Sequence, residues 1–95
     1  MSGYRLRPRA VEDLQTIGDF IAADHPARAV SFIDEMLAVC RRIAERPRAC
    51  QRRADLAPGL RQAVHGHYLI LFTDGGDAVV IERVLLGARR LEDLL

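Results

Sequence analysis

The feature that most constrains the fold is a pair of apolar runs around a tight turn near the end of the chain. Residues 68–72 read Tyr-Leu-Ile-Leu-Phe, and residues 78–86 are apolar except for Glu82 and Arg83. The five residues between the runs are Thr-Asp-Gly-Gly-Asp. Apolar runs of this length, rich in β-branched and aromatic residues and separated by glycine and aspartate, are typical of a β-hairpin. The sequence therefore predicts two strong strands joined by a hairpin turn.

Two amphipathic segments upstream predict a helical hairpin. The first begins at Pro8 or Arg9, and the second has Asp24 or His25 as its cap, Pro26 in its first turn and its end at Pro47. Apolar residues recur three and four positions apart in both, which is the spacing of a helix with one buried face. The link between the segments is so short that the two helices must run antiparallel. The apolar positions are Val11, Leu14, Ile17, Gly18 and Ile21 in the first helix, and Ala29, Phe32, Ile33, Met36, Leu37, Cys40, Ile43 and Ala44 in the second.

Weaker patterns complete the predicted fold. Residues 4–7 alternate and predict a short first strand, residues 48–58 form a polar loop, and residues 59–64 predict a weak strand. Residues 89–95 form at most two helical turns. The order β-α-α-β-β-β predicts an α+β fold in which the N-terminal helical hairpin packs on one face of an antiparallel sheet. A chain of 95 residues supports one modest core, so we expect a single domain over residues 1–95.

Composition excludes several classes of protein. Hydrophobic residues make up 49% of the chain, which argues against disorder. No apolar run approaches the roughly 18 residues that a membrane span requires. The N-terminus lacks the apolar block of a signal peptide. We therefore expect a cytoplasmic protein that contacts no membrane.

Charge is distributed unevenly along the chain, although the net charge is only +1. Residues 10–40 contain one arginine and six acidic residues, whereas residues 41–61 contain seven arginines and two acidic residues. Two interpretations remain open. The charges form ordinary solvated helix faces, or the basic stretch is a loop and strand edge that meets an acidic partner or phosphates. All 14 basic residues are arginine, so no lysine amine is available as an acid, base or nucleophile.

Arginines near the predicted strands are the first candidate functional residues. Arg61, Arg83 and Arg89 belong to three neighbouring segments. If they converge on one face or edge of the sheet, they favour an anionic ligand such as a phosphate or an acidic peptide. The alternative is that they pair with nearby carboxylates as structural ion pairs. Those carboxylates belong to Asp55, Glu82 and Asp93.

The histidines and one tyrosine are the second set of candidates. His65 and His67 would share a face if they lie on one strand, but no third metal ligand is evident, and we expect neither a metal nor a cofactor. Either histidine is a candidate for proton transfer, and a hydrogen-bonded turn is the alternative. Tyr68 opens a strong strand, where it either joins the core or presents its hydroxyl to a substrate.

The remaining residue types indicate structure rather than chemistry. Cys40 lies on an apolar helix stripe and Cys50 in the polar loop, and a disulfide between them is unexpected in a cytosolic protein. The adjacent acidic pairs in the helices point in different directions and are expected at the surface; they are Glu12 with Asp13 and Asp34 with Glu35. The three phenylalanines fit the core, which leaves no stacking platform for single-stranded nucleic acid; they are Phe20, Phe32 and Phe72.

The chain as a whole resembles the ParE branch of the RelE/ParE toxin superfamily. The matching elements occur in the family's order and spacing over nearly all of the sequence. They are Tyr4-x-Leu6 with Pro8-x-Ala10, Asp13-Leu14-x-x-Ile17, Pro26-x-x-Ala29 with Phe32, Pro47, Pro58-Gly59-Leu60-Arg61, Gly66-x-Tyr68-x-Ile70, and Ile81-x-Arg83-Val84-Leu85-x-Gly87-Ala88-Arg89. The chain departs from the family at Leu86, where members often have histidine.

The resemblance implies a toxin of a type II toxin–antitoxin system, neutralised by a cognate antitoxin. ParE-like members poison DNA gyrase and block replication, whereas RelE-like members cut messenger RNA in the ribosomal A site with lysines, arginines and often a C-terminal tyrosine or histidine. Only Arg61 and Arg89 match that nuclease set here. The resemblance therefore implies a gyrase-binding toxin without catalytic residues and without sequence-specific DNA binding of its own.

Two alternatives to gyrase inhibition remain. In a ribosome-dependent endoribonuclease, Arg61, Arg83 and Arg89 would hold the phosphate while His65 or His67 moves protons. In a non-toxic module, only antitoxin binding would be retained. Under both toxin hypotheses, the residues expected to contact the antitoxin or the target are Arg52, Arg53, Arg61, Tyr68, Arg83 and Arg89.

Overall fold

The computed structural model describes residues 3–87, in which two helices pack on a five-stranded mixed sheet. The α+β fold expected from the sequence is confirmed. The sheet order is β1-β5-β4-β3-β2, and a single 3-10 turn, Pro47–Ala49, follows the second helix. The elements are β1 (Tyr4–Leu6), α1 (Pro8–Ala22), α2 (Pro26–Glu45), β2 (Gln51–Arg52), β3 (Arg61–His65), β4 (Tyr68–Asp74) and β5 (Val79–Leu86).

The sheet differs from the expected one at both edges. β1 runs parallel to β5, with Tyr4 opposite Val79 and Leu6 opposite Ile81, so the sheet is mixed rather than wholly antiparallel. A parallel pair needs a long crossover connection, and the rest of the chain, which includes both helices, supplies it. At the other edge, Gln51 and Arg52 of the expected polar loop pair with β3 as a two-residue strand. The last predicted element, residues 89–95, lies outside the described residues.

Proline begins both helices, and apolar stripes hold them on the sheet. Pro8 and Pro26 occupy the first helical positions, where the absent N–H has no intrahelical partner to lose. Within residues 3–87, neither helix combines the length and the hydropathy needed to cross a bilayer. The main core joins the helices to one face of the sheet; it contains Ala10, Leu14, Ile17, Phe32, Met36, Val39, Cys40, Ile43, Ala44, Ile70, Phe72, Val79, Ile81 and Val84.

The opposite face of the sheet carries a second, smaller core. Leu60, Leu71 and Leu85 are buried there, packed against the partly buried Leu56, Ala57 and Leu69. The loop after β2 covers this face, and backbone bonds from Arg53 N–H to the Leu60 carbonyl (2.7 Å) and from Leu60 N–H to the Ala57 carbonyl (3.2 Å) hold it in place. β4 and β5 are therefore buried on both faces, which explains why their sequences are apolar rather than alternating.

A bulge in β5 decides which side chains enter the main core. Phe72 pairs with Ile81 and Leu71 pairs with Arg83, so no residue of β4 lies opposite Glu82 in the strand register. The extra residue changes the alternation of the strand. Val84 consequently joins Ile81 in the main core, and Arg83 is kept out of it.

Candidate functional site

A partly apolar groove lies between α1 and the end of β5. It has a volume of about 290 Å³. β1 covers β5 only as far as Ile81, so the later part of β5 has no partner strand on that side among residues 3–87. We call this feature the α1–β5 groove. Its lining consists of Asp13, Thr16, Ile17, Phe20, Tyr68, Arg83, Val84, Leu85 and Leu86.

An ion pair between α1 and β5 fixes one end of the groove. Arg83 Nε donates to Asp13 Oδ2 over 2.8 Å, and Arg83 Nη2 donates to Asp13 Oδ1 over 2.9 Å. The Val84 N–H also donates to Asp13 Oδ2 over 2.9 Å, so the carboxylate binds a β5 amide just beyond the end of β1. The hydrogen bonds to Asp13 raise the pKa of the Arg83 guanidinium. Asp13 lies 70 residues from Arg83 in the sequence and was not among the carboxylates expected to pair with the candidate arginines.

Phe20 lies in the wall of the groove, not in the core. The core position expected from the sequence is wrong, because its side chain is 76% exposed. Phe20 follows Asp13 by seven residues, or about two helical turns, and so shares a stripe with Asp13 beside the buried stripe of Leu14 and Ile17. Tyr68 lines the same groove and packs against the main core, with its ring centroid 5.7 Å from that of Phe32. Both of the proposed roles of Tyr68, core packing and surface presentation, are thus compatible with its position.

His65 links β3 to α2. Its Nε2 lies 3.1 Å from Glu35 Oε1, and its ring centroid lies 5.5 Å from that of Phe32. Arg28 Nη1 donates to Glu35 Oε2 over 2.6 Å. The hydrogen bond from Arg28, and to a smaller extent the one with His65, lowers the pKa of Glu35. His65 is thus engaged in a contact between a helix and a strand.

His67 does not share a strand face with His65. β3 ends at His65, and Gly66 adopts a φ of 60° that a side chain would disfavour. His67 lies in the exposed turn, where its carbonyl accepts a hydrogen bond from the Gly87 N–H over 2.8 Å. The expected turn is present, and the two rings do not form a pair on one strand. Residues 3–87 contain no group of three potential metal-binding side chains.

Three other candidate arginines, Arg52, Arg53 and Arg61, lie at the β2–β3 edge of the sheet. Arg61 Nη1 donates to the Cys50 carbonyl over 2.7 Å, and Arg52 is the cross-strand neighbour of Arg61. Arg53 forms a two-point pair with Asp55 over 3.0 and 2.9 Å, which lowers the pKa of that carboxyl. Arg61 therefore lies beside β2, whereas Arg83 is bound to α1. The two residues lie on strands on opposite sides of β4, so their side chains do not form one cluster. Arg89 lies outside the described residues.

Comparison with known proteins identifies the family. Residues 4–91 match the family model described as the ParE toxin of the type II toxin–antitoxin system, parDE. The chain belongs to the ParE toxin family. A solved structure titled "Chromosomal ParDE TA system from P. aeruginosa" has the same fold, with a TM-score of 0.76 and 18% sequence identity over 90% of this chain and 96% of that chain. No curated protein matches the chain.

In this ParE-family chain, sequence reasoning missed three residues that build or line the sites. Asp13 and Glu35 were expected to be solvated surface carboxylates, and Phe20 was expected to be buried. A helical wheel gives a partial signal, because Asp13, Thr16 and Phe20 lie on one stripe. The partners of the two carboxylates are 70 and 30 residues away, so no local pattern indicates them.

Proposed function

We propose that the chain is a single-domain toxin of a type II toxin–antitoxin pair and that it inhibits DNA gyrase in the cytoplasm. The observation that carries this proposal is the ParE family match over residues 4–91. The antitoxin and the target are inferred from the family. We also propose that the cognate antitoxin binds the α1–β5 groove.

The state of the candidate catalytic groups favours binding over RNA cleavage. A nuclease site needs a proton-transfer group beside the residues that hold the phosphate. Here Arg83 is bound to Asp13, His65 is bound to Glu35, and Arg61 lies at a different edge of the sheet from Arg83. The chain also lacks the lysines of the RelE-like nuclease set. These contacts favour a toxin that acts by occupying a surface of its target.

The shape of the groove supports its assignment to the antitoxin. Phe20 and Leu86 expose apolar surface beside the apolar lining of the same groove, and contiguous exposed apolar surface is typical of interaction sites. Because the Val84 N–H points toward α1, the alternation of an antiparallel strand directs the peptide groups of Leu86 to the same side. An antitoxin segment that brings apolar side chains and an extended backbone would complement both features.

The experiment that tests the target is pulse labelling of DNA and protein synthesis after inducing the chain alone in a bacterial host. We expect thymidine incorporation to fall before methionine incorporation, and the purified chain to inhibit gyrase supercoiling. Co-expression of the antitoxin encoded beside the toxin gene is the control and should restore growth. An earlier loss of methionine incorporation would instead support the ribosome-dependent nuclease. Unchanged incorporation of both labels would contradict toxicity in that host and favour the antitoxin-binding module.

A further inference from the structure

Three arginines line one pocket at the β2–β3 edge, away from the α1–β5 groove. Arg48 comes from the 3-10 turn, Arg52 from β2 and Arg61 from the start of β3. The pocket has a volume of about 520 Å³. We call it the basic pocket. Its other lining residues are Pro47, Ala54, Pro58, Gly59, Leu60, Thr73 and Asp74.

The sheet register forces two of these charges together. Arg52 and Arg61 are direct cross-strand partners, so their side chains leave the same face of adjacent strands. Like charges placed directly opposite each other destabilise a strand pair. Arg61 is anchored through Nη1 to the Cys50 carbonyl, and a guanidinium has five N–H donors, so most of its donors remain for another acceptor.

The described residues do not neutralise this charge. Within residues 3–87, neither Arg48 nor Arg52 forms an ion pair or a side-chain hydrogen bond, and the acidic lining of the pocket is limited to Asp74. Asp74 Oδ1 already accepts a hydrogen bond from the Gly76 N–H over 2.9 Å. The neighbouring Arg53, by contrast, has its own carboxylate in Asp55. The pocket therefore holds more positive than negative charge and is complementary to an anion.

The walls of the pocket favour a peptide over a nucleic acid. Pro47, Pro58 and Leu60 supply apolar surface, and among residues 3–87 no aromatic side chain lines the pocket on which a base would stack. A net charge of +1 is also low for a protein that binds a phosphate backbone. Arginine binds carboxylates through two parallel hydrogen bonds, and apolar side chains flanking a glutamate or aspartate would cover the proline and leucine walls.

We propose that the basic pocket binds an acidic, partly apolar peptide segment of a partner protein, with its carboxylates held by Arg48, Arg52 and Arg61. The basic pocket lies at the opposite edge of the sheet from the groove that we assign to the antitoxin. It would therefore provide the chain with a second protein-binding surface. This proposal is independent of the gyrase assignment and of the groove.

The test measures binding of short fluorescein-labelled peptides to the purified full chain by fluorescence anisotropy. The probe alternates glutamate and leucine, and its matched control replaces each glutamate with glutamine. We expect the glutamate peptide to bind and its affinity to fall with added salt, because the contacts are charged and partly exposed. Arg52→Ala should weaken binding about tenfold, because it removes one charge-assisted hydrogen-bonded pair between the pocket and the peptide. Arg9→Ala is the matched control, since Arg9 is an exposed arginine on α1 outside the pocket, and should leave binding unchanged.

Three results would overturn the proposal. Equal binding of the glutamine peptide, or binding unaffected by Arg52→Ala, would show that the carboxylates do not use the pocket. Binding of a single-stranded oligonucleotide that depends on Arg52, without binding of the glutamate peptide, would make the pocket a phosphodiester site. Neither antitoxin nor gyrase is present in the peptide assay, so a negative result there does not contradict the proposed function. Likewise, a negative supercoiling assay does not contradict peptide binding by the basic pocket.

Discussion

Arg83 of β5 and Asp13 of α1 form a two-point ion pair that closes the sheet edge where β1 ends. The side chains of these residues are only 12% and 14% exposed. Asp13 thus pairs with a partly buried guanidinium and also accepts a hydrogen bond from the Val84 N–H. The position of α1 against β5, and therefore the shape of the α1–β5 groove, depends on this contact.

Removal of the carboxylate should destabilise the fold substantially. Asp13→Ala leaves the Arg83 charge and the Val84 amide without this acceptor, and the loss of a partly buried, charge-assisted pair costs on the order of 2 kcal/mol. Asp13→Asn keeps an acceptor for the amide and should lose less. The free energy of unfolding from urea titrations measures both. Asp19→Ala, an exposed carboxylate of the same helix, is the control and should change it by less than about 0.5 kcal/mol. Equal stability of Asp13→Ala and Asp19→Ala would contradict the role of the pair.

The parts of the fold with strong local patterns were predictable from the sequence. Proline at the start of each helix and apolar spacing over three to four turns locate α1 and α2, and the apolar runs around Gly75 and Gly76 locate β4 and β5. β2 was missed because a two-residue strand contains no period to detect. The parallel pairing of β1 was missed because it depends on where the crossover places the strand, not on the three residues in it.

The candidate site was less predictable, because its contacts join distant segments. Arg83 was recognised as unusual in an apolar strand, but its bond to Asp13 spans 70 residues. The bulge at Glu82 also shifts which residues face the core, and the sequence contains no glycine there to indicate it. The basic stretch of residues 41–61 supplies all three arginines of the basic pocket, yet the register that sets Arg52 opposite Arg61 is visible only in the structure.

The proposed antitoxin surface predicts that Phe20→Glu separates neutralisation from folding. Phe20 is largely exposed, so the substitution should leave the free energy of unfolding nearly unchanged. A buried charge in place of an apolar contact should weaken antitoxin binding by about 2 kcal/mol, or roughly 30-fold. Isothermal titration calorimetry with the cognate antitoxin measures the loss.

The matched control for Phe20→Glu is Val64→Glu. Val64 is 60% exposed on β3, outside the groove. Its substitution adds the same charge at an apolar surface position and should leave antitoxin affinity unchanged. If Val64→Glu weakens binding as much as Phe20→Glu, the antitoxin does not select the α1–β5 groove.

The contact of Glu35 with Arg28 and His65 predicts that the free energy of unfolding depends on pH in the acidic range. Hydrogen bonds lower the folded pKa of Glu35 below its unfolded value of about 4.3. The contribution of this group is therefore present above about pH 4.3 and is lost as pH falls through the lower folded pKa. Urea midpoints between pH 6 and 3 should fall less steeply for Glu35→Gln than for the unsubstituted chain. Asp34→Asn, which alters the adjacent exposed carboxylate, should keep the original slope; identical slopes in all three proteins would contradict the assignment.

The two thiols should differ in reactivity although both are free. Cys40 is 1% exposed, and burial raises its pKa from 9.0 to about 11, so the thiol is neutral and enclosed at pH 8. Cys50 is only half-buried, and the nearby Arg61 opposes the rise in its pKa caused by burial.

With Ellman's reagent, Cys50 should react in the folded protein, whereas Cys40 should react on the order of a thousandfold more slowly because its exposure requires opening of the core. Cys50→Ser should remove the faster phase and leave the slow one. Because the folded pKa of Cys40 is raised, its contribution to stability is complete below pH 9.0 and is lost as pH rises through about 11. Equal labelling rates for the two thiols at pH 8 would mean that α2 does not stay packed on the sheet in solution.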